Sequence, residues 1–172
     1  MLNLFSQKNH KENKLYNSIL ALSRNKLFYT KLGLTDTFQN RINLIFIHIS
    51  FLFIKLKQNN NPSYKKSCQK FFDLTFRNIE LNIREIGYGD VTVNKKMKIL
   101  VRTFYNILFN CEKYRNKNFM DKKLFLLNYL VKNDEKSTDK NHDLVKYFNK
   151  YEAFCLDLSQ DSVLNGDLNF NY

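Results

Sequence analysis

Residues 78–108 read NIELNIREIGYGDVTVNKKMKILVRTFYNIL. Six ionisable side chains, Arg84, Glu85, Asp90, Lys95, Lys96 and Lys98, crowd a turn that carries Gly87 and Gly89. Three kinds of chemistry use such a set: proton transfer, phosphate binding, and the gripping of another macromolecule. Proton transfer fits poorly, because a general acid needs a raised pKa and neighbouring arginine or lysine lowers that of Glu85 or Asp90. Phosphate binding fits poorly too. A dinucleotide fingerprint needs a third glycine and a preceding strand, and a P-loop ends in Gly-Lys-Ser/Thr. Here GYGDVT lacks the third glycine and follows a helical pattern. No serine or cysteine stands beside a base in sequence, and no HExxH or spaced Cys/His set exists for a metal. The residues therefore imply no catalytic group, no metal and no cofactor, and leave a surface that presents polar groups to a partner.

Local structure accounts for part of the cluster. Gly87 reads as a residue at positive φ closing a helix, with Gly89 completing the turn. Asp90 or Asn94 reads as the cap of a next helix starting near Asn94. Local structure does not explain why Lys95, Lys96 and Lys98 gather at that helix start, where the macrodipole disfavours cations.

The rest of the chain reads as helices. Residues 13–32 form two short pieces with a phase shift near Arg24, closed by Gly33. Asp36 with Gln39 resembles a capping box opening a helix to about Lys57. From Ile42 to Leu56 that helix is apolar on nearly every side. It is shorter than the roughly 20 apolar residues of a membrane span and contains Asn43, His48 and Ser50, so it reads as a central core helix. His48, with no sequence-adjacent partner, reads as neutral and hydrogen-bonded. After an Asn-rich loop, Pro62 suits a first helical residue. The helix it opens has Cys68, Phe72, Phe76, Ile79, Ile83 and Ile86 inside, and pairs Asp73 with Arg77 and Glu80 with Arg84 outside. The next helix buries Met97, Leu100, Val101, Phe104, Leu108 and Cys111 and points Lys95, Lys98 and Arg102 outward. Helices at about 121–132 and 143–158 flank a polar linker. The expected fold is all-α, one compact domain of about six to seven helices around the central apolar helix at about 36–57. Residues 1–12 read as loosely ordered, 13–158 as the domain and 159–172 as a tail.

Composition agrees. The 172 residues suit one domain, and one proline with four glycines leaves too little turn material for an all-β fold. Net charge is +12, which suits an acidic partner such as RNA, an anionic membrane surface or an acidic protein. Richness in Lys, Asn, Ile, Phe and Tyr also follows from an AT-rich genome, so charge alone assigns nothing. The three cysteines are far apart and fit buried, reduced thiols. No secretory or transit signal stands at the start.

NIREIGYGDVTVNKKMKILVRTFY resembles the signature LREMGVGD…V.KKMK…AFY of the ubiquinol–cytochrome c chaperone family. Upstream, LYNSILALSRNKLFYTKLGLTDTFQNRINLIFIHISFLFIKLK is similar to that family's LY..I..QAR…FY…GVPDT..GRF…LH…RLK, and residues 15 to about 132 align in order. The tail LNGDLNF echoes a family ending G…F. The chain departs at Asn78-Ile79-Glu80, where the family has Asp-Met-Asp, and at Asn40-Arg41, where it has Gly-Arg. The resemblance implies a non-catalytic helical assembly factor for respiratory complex III. The partners it implies are cytochrome b or complex III assembly intermediates, a small partner protein, the ribosome and the membrane periphery. A general ribosome- or RNA-binding module is the alternative. The implied location is cytoplasmic or peripheral at the inner membrane in a bacterium, and the matrix side in a mitochondrion.

Overall fold

A computed structural model describes residues 2–58, 62–131 and 138–172. The helices are α1 (Leu2–Ser23), α2 (Leu27–Thr30), α3 (Phe38–Lys57), α4 (Pro62–Glu85), α5 (Asp90–Glu112), α6 (Phe119–Tyr129), α7 (Thr138–Asp157) and α8 (Gln160–Asn165), with a 3₁₀ turn at Tyr114–Asn116. Among the described residues there are six helices of 11 or more residues, two short ones and no β-strand. The fold is therefore all-α and a single domain, as the hydrophobic periods imply. Residues 59–61 of the Asn-rich loop, residue 132 at the end of the expected helix 121–132, and residues 133–137 of the expected polar linker lie outside the described residues.

α3 is the axis of the domain and packs against α1, α4, α5, α7 and α8. From Ile42 to Leu52 every residue of it is buried. Its two sides meet two aromatic clusters. Phe46 stacks on Phe76 and meets Phe104 edge-on, while Phe51 meets Tyr114 and Tyr151 edge-on. Such pairs add to burial about 0.5–1.5 kcal/mol each. Among the described residues no helix is long and apolar enough to cross a membrane.

The polar residues inside α3 are all satisfied. His48 is fully buried, with Nδ1 2.6 Å from the Leu44 carbonyl and Nε2 2.9 Å from the Tyr147 hydroxyl. Only a protonated Nδ1 can donate to that carbonyl, so Nε2 accepts from Tyr147 and the ring is neutral. Ser50 Oγ donates to the Phe46 carbonyl at 2.7 Å. Asn43 Nδ2 donates to the Tyr129 carbonyl at 2.6 Å. Asn40 donates to the carbonyls of Thr35 and Val131, both at 2.7 Å, and accepts from the Val131 N–H at 2.9 Å. These two asparagines clamp the end of α6 to the start of α3.

Several expected boundaries move. The cap of α3 is Thr37, not Asp36: its side chain accepts from the Asn40 N–H at 3.2 Å. Asp36 instead takes Arg41 in a fork at 2.7 and 2.9 Å, and this bond holds its carboxyl below the usual range. α1 runs upstream to Leu2, because residues 1–12 contain no glycine or proline to stop it. On α4, Ile86 is 59% exposed and Phe71 is buried in its stead, since the helix ends at Glu85 and Ile86 falls in the turn. Asp73 accepts from Gln69 at 2.7 Å instead of pairing with Arg77.

The tail is part of the domain. α8 buries Val163, and Gly166 closes it at φ 72°. A Cβ on Gly166 would stand 2.6 Å from the Leu15 backbone nitrogen, so only glycine lets α8 approach α1 this closely. Ser18 Oγ donates to the Gly166 carbonyl at 3.1 Å, and Lys14 pairs with Asp167 at 2.6 Å. Phe170 then packs on Tyr147, Tyr151 and Phe154 of α7.

Candidate partner-binding site

The α4–α5 hairpin positions the ionic cluster. α4 ends at Glu85, Gly87 turns the chain at φ 97° with its N–H on the Arg84 carbonyl at 2.9 Å, and α5 begins at Asp90. The cap of α5 is Gly89, in ordinary extended conformation at φ −71°, and it offers no side-chain bond. Neither Asp90 nor Asn94 caps. Asp90 is the first helical residue, and Asn94 lies a turn inside.

This start changes the reading of the lysines. Lys95, Lys96 and Lys98 sit beyond the first turn of α5, where the macrodipole has fallen away, and Asp90 stands in the first turn where an acid is favoured. Their position is therefore no local penalty that needs explaining.

The six ionic residues divide into two groups. Arg84 bonds Glu80 at 2.8–2.9 Å and reaches across the turn to Asp90, so it staples the end of α4 to the start of α5. The bond to Asp90, with that to Glu80, raises the Arg84 pKa. Lys96 lies over the Tyr88 ring at 4.6 Å, a cation–π contact that fixes the turn's outer edge. Arg84, Asp90 and Lys96 thus shape the hairpin. Glu85, Lys95 and Lys98 are exposed, and among the described residues none is in an ion pair.

The structure adds residues that the sequence reading missed. Val91 is 70% exposed and Ile99 62%, beside the free lysines, and Ile86, Leu81 and Tyr88 are open around the turn. Residues 91, 95, 98, 102, 105 and 109 alternate four and three apart, so Val91, Lys95, Lys98, Arg102, Tyr105 and Phe109 form one outward stripe. Between Asp90 and Glu112 the helix carries no acid. The sequence carried only part of the signal: Val91, Ile99, Tyr105 and Phe109 are apolar residues left over once the inner face of α5 is assigned, but so are Val93 and Ile107, which the structure buries.

No thiol is poised as a nucleophile. Burial pushes Cys68 up to about 11 and pushes Cys111 and Cys155 well above the ordinary value. Among the described residues no three His, Cys, Asp or Glu side chains stand close enough to share a metal ion.

Fold and site together define an all-helical protein whose α4–α5 hairpin exposes a basic, partly apolar face. Residues 30–170 match the sequence model of the ubiquinol–cytochrome c chaperone family, and the chain belongs to that family. The fold is shared with the crystal structure of the Cbp3 homolog from Brucella abortus, with a TM-score of 0.81 at 24% identity over 99% of this chain and 96% of that one. No curated protein matches the sequence.

Proposed function

We propose that this protein is a non-catalytic assembly chaperone that holds cytochrome b, or an early intermediate of ubiquinol–cytochrome c reductase, at the membrane periphery. The α4–α5 hairpin is the holding surface. Family membership supports the assembly role. The observation that carries the surface is the free pair Lys95 and Lys98 beside exposed Val91 and Ile99 on one acid-free face. A membrane protein segment with its flanking polar groups needs both kinds of contact. Gly87 sets the turn, Arg84 and Asp90 lock it, and Glu85, Lys95 and Lys98 meet the partner. A small partner protein and the ribosome are further occupants for the same basic face.

The test is the double substitution Lys95→Glu with Lys98→Glu. Both side chains are exposed, so thermal stability changes by no more than about 0.5 kcal/mol. Cytochrome b accumulation in cells falls. Wild-type levels of complex III with a folded variant would place the holding surface elsewhere.

A further inference from the structure

The hairpin surface leaves a cavity at the other end of the same helices without a role. Between the second half of α3, the first half of α4 and the second half of α5 lies an open slot of about 380 Å³. Small-ligand sites span about 300–1,000 Å³. The wall is apolar: Phe53, Leu56, Phe72, Phe104 and Leu108. Leu56 and Phe104 close it from the core, whereas Phe53, Phe72 and Leu108 remain half-buried. Phe53 is braced edge-on by Phe71 and Phe104, and Phe72 edge-on by Phe104 and in a tilted stack by Phe76, so the walls are held apart and do not fold into the space. Apolar side chains half-wetted around a held-open slot gain by burial only when something apolar enters.

The charged groups gather at one end. α3 and α5 finish, and α4 begins, at the same end of the bundle, which the Lys57–Glu112 ion pair at 2.7 Å closes. Lys65 stands on the same rim, exposed and, among the described residues, without an ion pair. Lys57 and Glu112 cancel, and Lys65 leaves one positive charge. The slot is therefore graded: one uncompensated cation at its rim, and aromatic wall at Phe72 and Phe104 about two turns further along α4 and α5.

We propose that this slot binds a single-chain aliphatic carboxylate, its head at Lys65 and its chain running between Phe53, Phe72 and Phe104. The site touches the outward stripe of α5 at Tyr105, which lines it, and does not depend on the partner-binding reading.

Cys68 lines the slot and is half-buried, while Cys111 and Cys155 are buried, so Cys68 reports on occupancy. The full chain is alkylated with N-ethylmaleimide, and the rate at Cys68 is followed by mass spectrometry. Decanoate and decyltrimethylammonium, which share a chain and differ in head charge, are compared below their micelle concentrations. Saturating decanoate slows Cys68 alkylation at least ten-fold and the ammonium ligand does not. Lys65→Glu inverts that preference, and its circular dichroism matches wild type. Equal protection by both ligands, protection by neither, or undiminished decanoate binding in Lys65→Glu overturns the proposal. The two-ligand comparison on the unsubstituted protein decides the matter even if a variant misfolds.

Discussion

His48 shows how a titratable residue becomes a core residue. Its ring is enclosed by Phe28, Tyr147, Phe148 and Tyr151, and burial lowers its pKa to about 4 from an ordinary 6.5, against a smaller raising effect of the Leu44 carbonyl. The unfolded chain therefore takes up a proton as pH falls through 6.5, and the folded chain does not until about 4. Stability is full above pH 6.5 and declines toward pH 4, by about 3 kcal/mol in all. Glu152 opposes this near the carboxylate range, because burial raises its pKa in spite of Lys122 and Arg115. His48→Gln keeps hydrogen-bonding groups near Leu44 and Tyr147 and removes the titration. Melting temperature from pH 7 to 4 falls less steeply for His48→Gln than for wild type, and parallel curves would show that His48 is not the titrating group. The burial of His48 was legible from its apolar neighbours in sequence. The role of Asn40 was not, because its partner Val131 lies 91 residues away. Asn40→Ala leaves the Val131 N–H without its partner, while the carbonyls of Thr35 and Val131 keep the N–H groups of Thr37 and Thr35, and costs about 1–3 kcal/mol, measured by urea unfolding. A loss under about 0.5 kcal/mol would mean water replaces the amide.

At the scale of elements, the two turn glycines part company. Gly87 sits at φ 97° with nothing within 4 Å of an added Cβ, so its requirement is conformational alone. Gly89 has equal space and an ordinary φ. Gly87→Val therefore lowers unfolding free energy by about 1–3 kcal/mol. Gly89→Ser costs nothing and adds a few tenths through the cap that α5 lacks. Equal losses at both positions would contradict this division. The sequence pattern places the start of α5 near Asn94, where the apolar period from Met97 begins, and Val91, Thr92 and Val93 before it are β-branched and weak helix formers. In the structure the N–H groups of Thr92 and Val93 both bond the Gly89 carbonyl at 3.0 Å, and burial of Val93 holds that first turn in place. Periodicity found the buried stripe of α5 correctly at Leu100, Phe104 and Cys111. It could not separate the ionic residues that bind each other from those that face outward, since that depends on how the turn folds back.

At the scale of the molecule, a net charge of +12 gives a general attraction to anything acidic. The exposed apolar groups on the α4–α5 hairpin distinguish recognition from that attraction. Binding of a cytochrome b segment keeps most of its affinity between 50 and 200 mM salt, because burial of Val91 and Ile99 is insensitive to screening. A nucleic-acid partner held by six or more cations loses about a thousand-fold over that range. Affinity measured against a synthetic cytochrome b segment across that range separates the two, and a steep log-linear loss would favour the nucleic-acid reading. Fold class and central helix were legible because α3 is apolar on every side and only a core helix of that length can be. The docking of residues 159–172 was not, because so polar a stretch carries no helical period of useful length.

That docking has a consequence for how the protein is made. α1 leaves the ribosome long before α8, yet Leu15 meets α8 through Gly166, and Tyr147 and Tyr151 of α7 are covered by Phe170. No early portion of the nascent chain can finish the domain. α3 and α4 cover part of the apolar side of α1, but the rest lacks its α8 contacts until residue 166 has been translated, so the native packing of α1 is completed late.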